Sequence, residues 1–320
     1  LIVKLPLMSA SNSIQRVAVV GTGLIGSSWT AFFLAHGLDV VATDPAPHAE
    51  RDLRAYVDRV WPLLVTLGLA PGADRARLRF EADLSTALTG VDFVQENGPE
   101  RAEFKIKLFA EMDAVLPSTV ILASSSSSLA MSVMQSECRH PERCVLGHPF
   151  NPPHLIPLVE IVGGRKTSLA TIVAAEQFYT RLGKRTIRLN KEIPGHVANR
   201  LQAALWREAV HLVAEGVVSV ADVDAAVSEG PGLRWSALGP NLIFHLGGGQ
   251  GGMTHFMNHL AGPFAKMWAD LGQPELTPEL KAAIIQGVHE AAAGRSLEDL
   301  EKERDQAILS VLAQRAKPAL

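Results

Sequence analysis

Gly147-His-Pro-Phe-Asn-Pro152 ends an apolar run on a histidine, and Leu158-Val-Glu160 sets a carboxylate inside the next run. An imidazole backed by a carboxylate is oriented, keeps one tautomer and gains basicity, so His148 with Glu160 forms a candidate general base. In an open α/β sheet, ligands bind outside the carboxyl ends of the strands, which is where His148 falls. A serine run at 124–128 follows another apolar run, 120–123, and reaches the same edge. Its hydroxyls suit a substrate oxygen, although such a run also makes an ordinary solvated turn.

A further segment binds rather than reacts. Val17-Ala-Val-Val-Gly-Thr-Gly-Leu-Ile-Gly26 places Gly-x-Gly-x-x-Gly between a β-branched run and a helix-like run. Gly21 permits a tight turn, Gly23 lets a pyrophosphate approach the backbone, and Gly26 lets helix and strand pack closely. Leu24 and Ile25 open the helix, whose free N–H groups and partial positive charge face the phosphates. Asp44 closes the next apolar run, where a ribose-binding acid belongs. Its carboxylate accepts from a 2′-hydroxyl and repels a 2′-phosphate, and Pro45-Ala-Pro47 brings no arginine to reverse that preference. The expectation is NAD rather than NADP.

Metal chemistry finds less support. Cys138, His140, Cys144 and His148 lie close together, but their spacings do not match paired zinc ligands. His255 and His259 are a helical turn apart without an accompanying acid. No metal is expected, and both cysteines read as structural.

These residues need a scaffold, and the chain supplies one. Apolar runs at 16–20, 40–44, 78–81, 92–96, 120–123, 144–148, 158–162 and 185–189 read as strands, with helical patterns such as 49–67, 101–115 and 168–182 between them. This alternation predicts an α/β fold: an N-terminal Rossmann-type, doubly wound, mostly parallel sheet. After Pro194 the pattern turns helical, with 196–215 placing Val197, Leu201, Leu205 and Leu212 on one face. Ser219-Val-Ala-Asp222 and Ser296-Leu-Glu-Asp299 look like capped helix starts. The expected division is a cofactor domain at 1–193, with 1–13 an N-terminal extension in which Met8 is a candidate start, and an all-helical domain at 194–320.

Composition narrows the class. Of 320 residues, 47% are hydrophobic and 20% charged, which excludes a disordered or collagen-like chain. A formal charge of −3 lacks the electrostatic footprint of a nucleic-acid binder. Residues 17–35 carry no charge, but three glycines break them into strand, turn and helix rather than a membrane span. Two cysteines cannot form a disulfide framework, which fits a reducing, cytoplasmic setting.

Together, residues 21–26, 124–129, 148–160 and Gly195-His-Val-Ala-Asn-Arg200 resemble the L-3-hydroxyacyl-CoA dehydrogenase superfamily over nearly the whole chain. The resemblance implies His148 as catalytic base, Glu160 as its acidic partner, Ser127 on the substrate oxygen and Asn199 completing the site. It implies Glu100 and Lys105 near the nicotinamide ribose and carboxamide, with Ser124 also on the cofactor side. The superfamily's Ser-Asn-Thr-Ser-Ser-Leu reads Ser-Ser-Ser-Ser-Ser-Leu here, so Ser125 or Ser128 could share the role given to Ser127.

Within the superfamily, Asn151-Pro-Pro-His-Leu-Ile-Pro and Gly230-Pro-Gly-Leu-Arg-Trp235 resemble the branch that oxidises the 3-hydroxyl of L-carnitine to 3-dehydrocarnitine. Acyl-CoA and L-gulonate dehydrogenases, and the structural lambda-crystallin, stand as alternatives. The absence of lysine from 45–90 weakens an acyl-CoA reading. A trimethylammonium head calls for aromatic faces, for which Phe150, Trp235, Phe244 and Phe256 are candidates; each would also serve as plain core. Arg200 and Arg234 are candidates for a carboxylate clamp. A homodimer through the helical domain is expected, as its Leu- and Ala-rich faces exceed what one partner domain covers.

Overall fold

The computed structural model describes residues 14–315; the expected extension at 1–13 lies outside them. The strands are β1 (Arg16–Val20), β2 (Asp39–Thr43), β3 (Leu78–Phe80), β4 (Phe93–Glu96), β5 (Ile121–Ser124), β6 (Cys144–Pro149), β7 (Leu158–Gly163) and β8 (Arg185–Arg188). Every strand read from the apolar runs is present, with ends shifted by a residue or two. They form one eight-stranded sheet in the order β3-β2-β1-β4-β5-β6-β7-β8. All neighbours run parallel except β6 and β7.

The helices of the first half are α1 (Leu24–Ala35), α2 (Ala49–Leu67), α3 (Leu84–Ala87), α4 (Ala102–Val115), α5 (Met131–Met134) and α6 (Leu169–Arg181). Strand alternation feeds two separate cores, as the two-residue period of a strand requires. Val17 and Val19 join Trp29, Phe33, Phe93 and Tyr179 in one core. Ala18 and Val20 join Val94, Phe109, Met112 and Leu122 in the other. Both faces of β1 are therefore buried, which is why its sequence is continuously apolar rather than alternating.

The chain order reverses across β1, which lies between β2 and β4. The carboxyl ends of β1 and β4 thus border the crevice in which such sheets bind ligands. Gly21, Asp44, Asn97 and Ser125 each directly follow a strand on that edge.

The helical half comprises α7 (Ala198–Ala214), α8 (Val220–Ser228), α9 (Pro231–Ala237), α10 (Pro240–Gly247), α11 (Gly252–His255), α12 (Ala261–Asp270), α13 (Pro278–Ala292) and α14 (Leu297–Arg315). No strand occurs after β8 among the described residues. The Ser219 hydroxyl accepts from the Asp222 N–H at 3.1 Å. Ser296 and Asp299 cap reciprocally, at 3.0 and 3.1 Å. The chain divides into two compact units, the first ending at Asn199 and the second starting at Arg200.

One expectation needs correcting. The helical period places the start of this helix at His196, but α7 starts at Ala198. His196 instead adopts φ +52°, a left-handed conformation that cannot continue into a right-handed helix. The N–H groups of Val197 and Ala198 then point at Glu160 rather than into a preceding turn.

Candidate active site

The glycine loop is shaped by backbone contact. Gly21 has φ +86°, and a side chain there would meet the Asn97 backbone at 2.8 Å. A Cβ on Gly26 would lie 1.9 Å from the Gly21 carbonyl oxygen, so helix and loop touch there without room for any side chain. Gly23 differs, since nothing lies within 4 Å of where its Cβ would be. It is also the N-cap of α1 and gives that helix no side-chain cap. The loop thus offers an anion an open approach to uncapped N–H groups. Leu24 is exposed beside it, and Ile25 packs partly against the core.

Asp44 is fixed by this loop. Its Oδ2 accepts from the Thr22 N–H at 2.7 Å and the Thr22 hydroxyl at 3.2 Å, while Oδ1 accepts from the Ala46 N–H at 2.9 Å. The carboxylate is only partly buried. Oδ1 keeps acceptor capacity for a ribose hydroxyl. These residues fit the pyrophosphate and ribose of a dinucleotide.

Behind the loop lies a buried charge cluster. Lys105 is 1% exposed and donates to Glu96 Oε1 at 2.6 Å. Glu96 also accepts from the Gly98 N–H at 2.6 Å and the Ser124 hydroxyl at 2.5 Å. Lys105 and Ser124 are thereby committed to Glu96, a residue sequence reasoning passed over. An acid ending a strand looks like any boundary residue until its lysine partner is seen.

Glu100 organises the serine turn. Its Oε1 accepts from the Ser126 hydroxyl at 2.6 Å, the Ser127 N–H at 3.0 Å, and the Ser128 N–H and hydroxyl at 2.8 and 2.9 Å. Burial raises its pKa, but these bonds and the nearby Lys105 ammonium outweigh burial and hold it below the usual range. Ser125 donates to Asn97 Oδ1 at 2.7 Å and accepts from Gln95 and Trp29. Four of the five hydroxyls in the run thus have protein partners. The hydroxyl of half-buried Ser127 has none among the described residues.

The antiparallel register of β6 and β7 sets His148 directly opposite Glu160. His148 Nδ1 lies 2.9 Å from Glu160 Oε2; the histidine is 4% exposed and the glutamate fully buried. Glu160 Oε1 accepts from the Val197 and Ala198 N–H groups at 2.9 and 3.0 Å, at the start of α7. Burial raises the Glu160 pKa, but the His148 bond and the two backbone donors outweigh it and hold the group below the ordinary range. An ionised carboxylate only accepts, so His148 Nδ1 carries the hydrogen and Nε2 keeps its lone pair. Asn199 follows in the first turn of α7.

Of the proposed aromatic candidates, Phe150 lies beside the histidine, its ring centroid 6.0 Å from that of His148. Trp235, Phe244 and Phe256 belong to the second unit, as do Arg200 and Arg234. Phe244 and Phe256 stack at 4.9 Å and share Phe264 as a third ring, at 5.0 and 5.5 Å. Trp235, Arg200 and Arg234 are exposed.

Cys138 and Cys144 are buried free thiols with sulfurs 3.9 Å apart. Among the described residues no group of three or more His, Cys, Asp or Glu could hold a metal ion. No helix among them is long and apolar enough to cross a membrane.

The comparisons with known proteins point one way. The profile of the 3-hydroxyacyl-CoA dehydrogenase NAD binding domain matches residues 16–193, and that of the same family's C-terminal domain matches 195–278. The L-carnitine dehydrogenase of Streptomyces coelicolor is 48% identical, over 95% of this chain and 96% of its own. That of Pseudomonas aeruginosa is 47% identical over 95% of each chain. Among solved structures, 5-formyl-3-hydroxy-2-methylpyridine 4-carboxylic acid 5-dehydrogenase is similar with a TM-score of 0.80, 30% identity and coverage of 93% and 97% of the two chains. The (S)-3-hydroxybutyryl-CoA dehydrogenase of Ralstonia eutropha gives a TM-score of 0.63 at 27% identity, covering 88% and 95%. With both of its domains matched and full-length relatives near half-identical, the chain belongs to the 3-hydroxyacyl-CoA dehydrogenase family.

Proposed function

We propose that this protein is an NAD-dependent dehydrogenase that oxidises the 3-hydroxyl of L-carnitine to 3-dehydrocarnitine, with His148 as general base. The observation that carries the chemistry is the buried 2.9 Å pair of His148 and Glu160 on the sheet edge that also carries the glycine loop. The substrate choice is supported by relatives of that activity at 46–49% identity across nearly the full chain.

NAD is held by the Gly21–Gly26 loop and the N-terminus of α1 through its pyrophosphate, and by Asp44 through its adenosine ribose. When bound, it accepts the hydrogen of the alcohol carbon as hydride. His148 Nε2 takes the hydroxyl proton, and Glu160 stabilises the imidazolium that results. Ser127 offers its uncommitted hydroxyl to the substrate oxygen, with Asn199 as a second polar contact. Glu100 holds the serine turn, and the Glu96–Lys105 pair supports it from behind. General-base catalysis of this kind is worth about 10²–10⁴-fold.

In carnitine the quaternary nitrogen is bonded to the carbon next to the one oxidised. The cation must therefore sit close to the base, which favours Phe150 as its aromatic neighbour, a contact worth about 0.5–2 kcal/mol. Phe244 and Phe256 instead pack against each other and against Phe264. The cofactor domain ends at 193, and the helical domain, 194–320, carries a homodimer interface. Leu201, Trp206, Leu246, Trp268 and Ile285 of that half are each more than half exposed, an apolar surface that a second copy would cover. A cytoplasmic site is supported by the two buried free thiols.

The test is NADH formation with L-carnitine, 3-hydroxybutyryl-CoA and L-gulonate. Turnover of L-carnitine at least tenfold above the other two supports the proposal. Preference for either competitor, or NADH formation from none of them, overturns it.

A further inference from the structure

We propose that His196 is a positioning residue for this reaction, tying the serine turn to the general base. The inference rests on the reading of His148 as that base. His196 is 2% exposed, and its ring centroid lies 4.8 Å from that of His148. Its Nε2 is 3.1 Å from the Ser126 carbonyl oxygen, directly before Ser127. The next two residues, Val197 and Ala198, give their N–H groups to Glu160. One residue therefore joins the turn that presents the substrate hydroxyl contact, the ring that takes the proton, and the carboxylate that steadies that ring.

The side chain is specified beyond its volume. A carbonyl only accepts, so Nε2 carries the hydrogen and Nδ1 holds the lone pair of a neutral ring. Nδ1 is buried and meets no donor among the described residues. The backbone at φ +52° is one that residues other than glycine rarely adopt. A hydrocarbon side chain would fill the space and remove the unpaired Nδ1, but it would take the Nε2–H donor from the Ser126 carbonyl, so packing alone does not account for an imidazole here. Strain and an unpaired polar atom gathered at one residue mark a position held for geometry.

The charged and titratable groups facing the ring are His148, Glu160 and Glu100. Burial lowers the His196 pKa, against the Ser126 carbonyl and the two glutamates, while His148 lowers it further. A neutral His196 suits the role, because a second cation against His148 would oppose its protonation.

The experiment compares His196→Phe, which keeps a ring but cannot donate, with His196→Gln, which restores an N–H donor. We expect His196→Phe to lower kcat for L-carnitine by about 10–100-fold, the scale on which small misplacements act. The KM for NAD and the Kd for NADH should stay within about twofold, and His196→Gln should recover at least about threefold of the lost kcat. Nitrogen-15 shifts of the wild-type imidazoles should show His196 as the Nε2–H tautomer, a readout independent of turnover. A His196→Phe kcat within twofold of wild type, loss of NADH binding together with kcat, no recovery in His196→Gln, or an Nδ1–H tautomer would each overturn the inference. Wild-type enzyme that ignores L-carnitine but turns over another secondary alcohol would sink only the substrate assignment, and the variants are then compared on that alcohol. If no alcohol of the panel is turned over, the tautomer decides.

Discussion

Replacing Glu160 with glutamine isolates what the carboxylate does for the base. The side chain keeps its shape, and its surroundings fix its orientation. Oε1 already accepts from two backbone N–H groups, of Val197 and Ala198, so the amide oxygen stays there and the NH₂ turns toward His148. An NH₂ donates, so Nδ1 must become the acceptor and the ring proton moves to Nε2. The lone pair needed to take the substrate proton is then lost. The electrostatic part can be worked separately. With Nδ1 and Oε2 at 2.9 Å, the charge centres of an imidazolium and the carboxylate lie about 4 Å apart. At an effective dielectric of about 20 that attraction is about 4 kcal/mol. At about 1.4 kcal/mol per tenfold, it corresponds to about 10³ in rate. The expected loss in kcat is therefore about 10³–10⁴-fold once the wrong tautomer is added. Initial rates of NADH formation with L-carnitine read the loss, and NADH fluorescence titration with circular dichroism confirms that the variant folds and binds cofactor. A folded, NADH-binding Glu160→Gln enzyme that keeps more than a tenth of wild-type kcat would refute the assignment of roles.

Ser127→Ala should lower kcat by about tenfold or more while leaving unfolding midpoints unchanged, because its hydroxyl has no partner among the described residues; Ser128→Ala, losing an exposed bond to Glu100, should cost stability instead, about 0.5–1.5 kcal/mol by urea titration. Asp44→Ala should raise KM for NAD by roughly 10–100-fold, from the loss of charged hydrogen bonds of about 1.5–3 kcal/mol, and should narrow the preference over NADP in a kcat/KM comparison. Lys184 donates to the carbonyls of Pro153 and Ile156 and lies over the rings of Trp29 and Phe32, at 5.1 and 4.1 Å. Burial lowers its pKa from 10.5 to about 7. A lysine depressed in this way opposes folding in full below about pH 7, and the opposition is relieved as pH rises toward 10.5. Wild type should thus gain stability over Lys184→Met between pH 7 and 9 in urea unfolding; a difference that shrinks over that interval would contradict the burial.

The strands were legible because both faces of the central ones are buried, leaving continuous apolar runs such as Val17–Val20 that few other structures explain. The glycine loop was equally legible, since its spacing is dictated by close backbone approach, and the 1.9 Å clash that a Cβ at Gly26 would make is that constraint in numbers. The remainder depends on contacts that local pattern does not encode. The return at 149–157 is too short and proline-rich for a parallel crossover, a signal the strand-by-strand reading did not use, and the antiparallel register it allows sets His148 opposite Glu160. The serine run could not declare which hydroxyl is available, because the answer depends on Glu96, Asn97 and Glu100 claiming the others across a gap of more than twenty residues. His196 was hidden by a helical period that continues through it. The usable signal was Pro194-Gly195 immediately before, which marks a turn rather than the interior of a helix.

That hidden turn explains why the base and its carboxylate are built as they are. Glu160 is fully buried, and a buried carboxylate with a single neutral partner would be costly to keep ionised. The left-handed residue at 196 redirects the chain so that two N–H groups at the start of α7 reach Oε1, where the positive end of the helix adds to them. Those donors keep Glu160 charged before any substrate arrives, and an already charged Glu160 is what sets the His148 tautomer. The order of dependence runs from the strained turn to the carboxylate, from the carboxylate to the imidazole, and from the imidazole to the alcohol.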